Sequence, residues 1–247
     1  MNAGRVLVWF SCGAPSACAT KAAIDRFGLD RVTPVYCDLS QNEDVDNIRF
    51  RRDCEQWFGR PITVIRNPKY LTIEEVFDDR KYMSGIKGAV CTGQMKKVPR
   101  FEFQNPEDVH VFGLTADEPR RIRKFTKDNP ELNLLWILSE LNLTKARCFY
   151  MVRQAGIELP RRYGQGFKNN NCECCVKATS LAYWVLSRRV NPSTFSDRAA
   201  QSRKLGVRLA RIKGKRIFLD EIPPDNLIPK RFLKRMENVQ CGPECRG

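Results

Sequence analysis

Residues 5–16 read Arg5-Val6-Leu7-Val8-Trp9-Phe10-Ser11-Cys12-Gly13-Ala14-Pro15-Ser16. Arg5–Phe10 is an apolar, β-branched run of the kind buried on both faces of a parallel sheet. The small residues that follow make a turn, and a helix is expected from about Ser16 to Phe27, with Gly28 as its stop. A strand that turns directly into a helix leaves free backbone N–H groups at the helix N-terminus, where a phosphate can sit. The hydroxyls of Ser11 and Ser16 add donors. The turn matches neither G-x-x-x-x-G-K-S/T nor G-x-G-x-x-G. An ordinary tight turn capped by Ser16 is the competing reading.

Working outward, the same alternation continues. Val32–Cys37 reads as a second strand ending at Asp38, and residues 44–58 as a helix stopped by Gly59. Ile62–Ile65 is a third strand, Leu71–Phe77 opens another helix, and His110–Leu114 is a fourth strand. Asp117-Glu118-Pro119 then starts a helix with acidic residues and an early proline. This spacing predicts an α/β fold: a doubly wound, mostly parallel sheet flanked by helices, with ligands beyond the carboxyl ends of the strands. Leu132–Leu141, Thr144–Ala155, residues 176–189 and Ser196–Leu205 are expected as helices, and Arg216–Leu219 as a short strand. We therefore expect an α/β core over residues 1–130 and a basic helical extension of the same domain over residues 131–247.

The chain has 247 residues, with 43 Lys and Arg against 28 Asp and Glu, a net charge of +15. Its apolar content of 42% excludes a disordered chain, and apolar runs as short as Leu134–Leu138, none longer than six residues, exclude a membrane-spanning helix. Met1–Gly4 is too short for the charged region of an export signal, so a cytoplasmic, reducing compartment is expected. The charge is unevenly placed. Residues 1–120 are neutral, and the whole excess lies in residues 121–247. Such asymmetry points to a polyanionic partner, nucleic acid above all, against a solvated basic surface. The densest stretch carries Arg203, Lys204, Arg208, Arg211, Lys213, Lys215 and Arg216, which could grip a phosphate backbone or form a solvated face.

Eleven cysteines in a reducing compartment are candidates for metal or redox work rather than disulfides. Cys172-x-x-Cys175 and Cys241-x-x-x-Cys245 are two chelating pairs, which together give four thiolates for a 4Fe–4S cluster or structural zinc. His110 is the only histidine and opens a buried strand, so general acid–base chemistry would fall to carboxylate, Lys or Cys.

Further segments follow in order: Asp46-Asn47 with Asp53-Cys54-Glu55, then residues 91–97 (CTGQMKK), residues 113–118 (GLTADE) and residues 169–177 (NNNCECCVK). With the turn at Ser11–Ser16, they resemble the phosphoadenosine phosphosulfate (PAPS) reductase family, in the small form carried by phages and plasmids. That family lies within the PP-loop, adenine nucleotide alpha-hydrolase-like superfamily. The turn itself is similar to that superfamily's S-G-G-x-D-S pyrophosphate loop. Cys12 replaces its first glycine, Ala14 takes the variable place, and Pro15 replaces its aspartate and removes one backbone N–H.

The resemblance implies an adenine nucleotide (ATP, or APS/PAPS) held by Ser11, Cys12, Gly13, Ala14, Pro15, Ser16, Asp38, Asn47, Arg100, Gly113 and Arg121. Mg²⁺ would accompany ATP. Lys96, Lys97 and Glu118 would face the reacting phosphates or sulfate. Cleavage at the α-phosphorus to AMP and pyrophosphate, on or beside nucleic acid, is the leading activity it implies. It favours an iron–sulfur cluster over zinc and adds Cys91 to the four cysteines already named. Two alternatives come with it. One is sulfonucleotide reduction with Cys241, of a Cys241-Gly242 pair, as nucleophile. The other is a non-catalytic subunit of a mobile-element nucleic-acid complex such as a CRISPR system.

Overall fold

The computed structural model describes residues 4–86 and 88–228. In chain order its elements are β1 (Val6–Phe10), α1 (Ala14–Phe27), β2 (Val32–Cys37), α2 (Asp46–Phe58), β3 (Thr63–Ile65), α3 (Ile73–Arg80), β4 (Ser84–Gly85), β5 (Gly88–Ala89), α4 (Val90–Thr92), α5 (Val98–Phe103), β6 (Val109–Phe112), α6 (Pro119–Asp128), β7 (Asn133–Leu135), α7 (Ile137–Glu140), α8 (Lys145–Gln154), α9 (Arg161–Gly164), α10 (Leu181–Val190), α11 (Pro192–Lys204), β8 (Ala210–Ile212) and β9 (Lys215–Ile217). Five strands form one parallel sheet in the order β3-β2-β1-β6-β7. This is the expected doubly wound α/β architecture. No helix of the described residues is long and apolar enough to cross a membrane.

β1 is buried along its whole length because it is central and covered on both faces. Val6, Val8 and Phe10 pack with residues of α1, α2 and α8, among them Ala17, Phe50 and Val152. Leu7 and Trp9 face the other way, with Val35, Phe103 of α5 and Phe112 of β6. Phe125 of α6 meets Phe112 on that side, with ring centroids 4.6 Å apart.

A second core lies beside the sheet. It joins Tyr70, Phe77 and Met95 to Trp184, Phe195 and Leu209. The basic helices α10 and α11 are therefore packed onto α3 and the helix that follows it. The guanidinium of Arg198 on α11 is buried over the Phe77 ring, 5.0 Å from its centroid, and pairs with Glu74.

Three local expectations are corrected. Leu132–Leu141 is not one helix: Asn133–Leu135 pairs with β6, and only Ile137–Glu140 is helical. A short apolar run does not by itself separate a strand from a helix. The sheet thus continues past residue 130. Residues 176–180 precede the helix α10, which starts only where Ser180 caps it by accepting from Tyr183 N–H. The strand expected at Arg216–Leu219 is Lys215–Ile217, and its partner β8 hides among cations that mask the alternation.

His110 is structural. Its Nδ1 accepts from Trp9 Nε1 at 3.1 Å, and the two rings stack. Burial, with Arg100 nearby, lowers its pKa to about 4. Between pH 6.5 and 4 the unfolded chain binds a proton that the folded chain refuses. Stability is therefore full above pH 6.5 and is lost as pH falls towards 4. Urea titrations from pH 7 to 4.5 should show His110 contributing a loss of roughly 2–3 kcal/mol. His110→Gln, which keeps an acceptor for Trp9, should remove most of that slope.

Candidate functional site

The sheet changes winding direction between β1 and β6. β1 leads through α1 to β2 and β3, whereas β6 leads through α6 to β7. The loops after β1 and β6 therefore part around a crevice at the carboxyl edge, the usual ligand position in such sheets. Gly113 sets its width. A Cβ there would lie 2.6 Å from Ser16 N, 2.8 Å from Ser16 Cα and 3.0 Å from the Pro15 carbonyl carbon. Only glycine lets the start of α1 lie this close to the end of β6.

The β1–α1 turn is held from inside. Ser16 Oγ accepts from Ser11 N–H at 3.1 Å and Gly13 N–H at 3.3 Å, and it donates to the Gly13 carbonyl at 2.8 Å. The Tyr163 hydroxyl lies against Gly13 and feels the Ala14 amide. Pro15 has no N–H. Much of the cradle that an anion would use is thus already satisfied. Cys12 sits at φ 52°, in the left-handed region that favours glycine. Asn170 clamps this strained residue: its Nδ2 donates to the Cys12 carbonyl and to Asn47 Oδ1, both at 2.6 Å.

From Asn47 the bonding runs on to a half-buried acid. Asn47 Nδ2 and the Tyr36 hydroxyl both donate to Glu43 Oε2, at 2.8 and 2.9 Å. Burial raises the Glu43 carboxyl above its ordinary pKa, against the pull of Lys96 and these two donors. A small, open pocket of about 20 Å³ lies here, lined by Cys12, Tyr36, Asn47, Ile48 and Arg51 among others. Val45 and Ile48 expose apolar surface at its rim.

Lys96 lies where the helix spanning α4 and α5 widens. Val98 N–H donates to the Gly93 carbonyl, an i→i−5 bond that bulges residues Gly93–Lys97. Such single-turn bulges recur at functional sites because they re-aim side chains. The Lys96 side chain reaches solvent; partial desolvation opposes its charge, but Cys172, Glu43, Cys37 and Cys175 hold its pKa above the ordinary value. Lys96 also acts on Cys12 and Cys91. Burial raises the thiols of Cys37 and Cys91 to about 11, and that of Cys172 further. One lysine therefore stands among several half-buried thiols whose own loss of a proton burial opposes.

The candidate metal ligands Cys91, Cys172 and Cys175 gather here, close enough for Cys91 and Cys175 each to act on Cys172. Among the described residues, no three His, Cys, Asp or Glu side chains form a metal-holding group. These residues therefore do not by themselves fit a cluster or zinc. Cys241 and Cys245 lie outside the described residues.

The other candidates divide. Asn47 and Cys12 line the pocket, and Lys97 is exposed on the bulge. Asp38 holds its own loop by accepting from Ser40 N–H and Oγ, and it pairs with Arg66. Arg100 is buried, with Glu131 as its ion pair. Glu118 accepts from Thr115 N–H and Oγ1 and pairs with Arg121. Burial works against its charge, but Arg121 and Thr115 hold its pKa below the ordinary value, so it stays ionised. Arg203 pairs with Asp220 and Glu221, and Lys204 with Asp78. Arg208, Arg211, Lys213, Lys215 and Arg216 are exposed.

Sequence reasoning misses Glu43, Tyr163 and the clamp made by Asn170. Asn170 is embedded in a polar run, and nothing local in the sequence marks which amide folds inward.

Gly113→Ala should cost about 1–3 kcal/mol in urea unfolding, the usual penalty for overpacking. The clash falls on backbone, which yields less readily than a side-chain end. Ligand binding at the crevice should weaken with it. No family model matches the chain, and no curated protein matches it.

Proposed function

We propose that this protein binds an adenine nucleotide over the carboxyl ends of β1, β2 and β6 and acts through thiol chemistry, as in sulfonucleotide reduction. The observation that carries the reading is Lys96, a cation facing Glu43 and a group of half-buried thiols at the sheet's carboxyl edge. The nucleoside would lie on the open surface over the small pocket between Cys12 and Arg51, with the exposed Val45 and Ile48 against the base. Asn170 Oδ1, buried and unpartnered among the described residues, is an acceptor open to a ligand. Lys96 would meet the phosphate and sulfate oxygens, where a positioned ammonium stabilises developing charge.

In this reading a thiolate attacks the sulfur of the bound APS or PAPS. The S–O bond to the phosphate breaks, and the nucleoside phosphate leaves with the electron pair. A dithiol reductant then attacks the enzyme's S-sulfocysteine, releasing sulfite and forming a disulfide. Cys241 is the nucleophile that the family resemblance implies. The thiols near Lys96 are raised by burial and are poor nucleophiles themselves. The turn supports this reading over cleavage of ATP at its α-phosphorus, because Ser16 Oγ already occupies the Ser11 and Gly13 amides.

Protein supplied with APS or PAPS and a dithiol should release sulfite. Lys96→Met should lower kcat/KM about 100-fold, in the range for removing one electrostatic partner of the transition state. AMP and pyrophosphate from ATP with Mg²⁺, and no sulfite, would replace this reading with α-phosphorus cleavage. If the tail cysteines complete the set begun by Cys91, Cys172 and Cys175, anaerobically purified protein should show the brown thiolate-to-iron band, and Cys172→Ser should lose it. A colourless, zinc-containing protein would exclude the cluster.

A further inference from the structure

β8 and β9 form a hairpin whose surface is nearly all positive charge. Residues 203–219 hold Arg203, Lys204, Arg208, Arg211, Lys213, Lys215 and Arg216 and no carboxylate. Arg203 and Lys204 are neutralised by Asp220, Glu221 and Asp78. Among the described residues, the other five form no ion pair with a carboxylate, although all are exposed. The pairing makes this costly. Arg211 stands directly opposite Arg216, and like charges across an antiparallel pair destabilise it. At the tip, Lys213 and Gly214 have φ 46° and 83°, the two left-handed residues of a tight hairpin turn. A lysine occupies a position where asparagine or glycine would be less strained.

These cations are also held in place. Arg216 Nη1 donates to the carbonyls of Arg208 and Leu209. The guanidinium of Arg208 lies 4.7 Å from the centre of the Phe218 ring. Arg211 N–H donates to the Thr179 carbonyl at 2.9 Å, which joins the hairpin to the segment after Cys175. Lys177 on that segment is exposed and acts on Cys91. The row of charge therefore runs from the hairpin tip towards Lys96 and the thiols.

We propose that the β8–β9 hairpin is a platform for the phosphate backbone of a nucleic acid. A protein partner or a lipid surface fits less well. Interfaces with proteins rely on aromatic and apolar anchors and are depleted in lysine, and membrane-surface elements need an apolar face to insert. No large apolar side chain of residues 203–219 is exposed. The platform reads charge and not base edges, so its binding tolerates sequence and depends steeply on salt. It stands independently of the nucleotide and thiol reading.

The test is fluorescence anisotropy of the full chain with labelled 20-mers of duplex DNA and single-stranded RNA across a salt titration. The triple variant Arg211→Gln/Lys213→Gln/Lys215→Gln should lower affinity at least tenfold at low salt. It should also flatten the slope of log K against log salt for the duplex by between 2 and 3, at about 0.9 for each phosphate no longer neutralised. A matched variant on α6, Arg120→Gln/Arg123→Gln/Lys127→Gln, removes the same charge elsewhere and should leave the slope nearly unchanged. If circular dichroism shows the first variant misfolded, Lys213→Gln/Lys215→Gln at the tip replaces it, with about two thirds of the effect expected. Equal slopes for wild type and hairpin variant would overturn the proposal, as would equal losses of affinity in both variants. Poly-glutamate bound as tightly as the 20-mers, with the same weakening in the hairpin variant, would assign the surface to an acidic protein and overturn it too.

Discussion

A single side-chain amide joins the parts of this protein that matter most to one another. Asn170 Nδ2 reaches the Cys12 carbonyl after β1 and Asn47 on α2, and Asn170 stands two residues before Cys172. Cys12 is in a backbone conformation that costs a residue with a Cβ about 1–2 kcal/mol, and it keeps that conformation because the surrounding bonds over-determine it. Loosening the clamp would remove one restraint on Cys12 and on the alignment of Asn47 with Glu43, while Ser16 still braces the turn and Glu173 N–H still holds the cysteine-bearing segment to the Asn42 carbonyl. The crevice is thus assembled by bonds between segments far apart in the chain, not by one contiguous loop.

That arrangement explains what the sequence makes legible. β1, β2 and β6 are readable because burial on two faces calls for short, mostly apolar, β-branched runs, and these survive Thr33, Pro34 and His110. The helix stops at Gly28, Gly59 and Gly156 are readable because each has positive φ, which glycine adopts at little cost. β7 is hidden because Leu134–Leu138 is apolar whether it pairs or coils. β8 is hidden because Arg211 interrupts it. In the site, Ser16 is visible as a capping residue, since capping is local. Lys96 is singled out by family resemblance and not by pattern. Its position depends on a helical bulge that residues 93–97 do not announce. Glu43 is indistinguishable in sequence from the acids around it, and only the fold turns Tyr36 and Asn47 towards it.

The two charged regions obey different physics. Around Lys96, proximity dominates: an ammonium on the helical bulge keeps its proton because Glu43 and several half-buried thiols stand beside it. On the hairpin, exposure dominates, and water and salt screen each charge. The first arrangement suits a small anion bound in a fixed pose. The second suits a long polyanion bound loosely at many points. Net charge alone could not separate these two roles.

The second core has a consequence for how the chain is made. Tyr70, Ile73, Val76, Phe77 and Met83 are synthesised early, but their partners Trp184, Phe195, Leu209 and Leu219 follow roughly a hundred residues later. At about 5–20 residues per second, a ribosome leaves that apolar face uncovered for about 5–20 seconds. The sheet can close as soon as β7 and α8 have emerged, whereas α3 must wait for the C-terminal third of the chain. A nascent chain stalled between these points would present a finished sheet with an open flank, and that flank is where a chaperone would bind it.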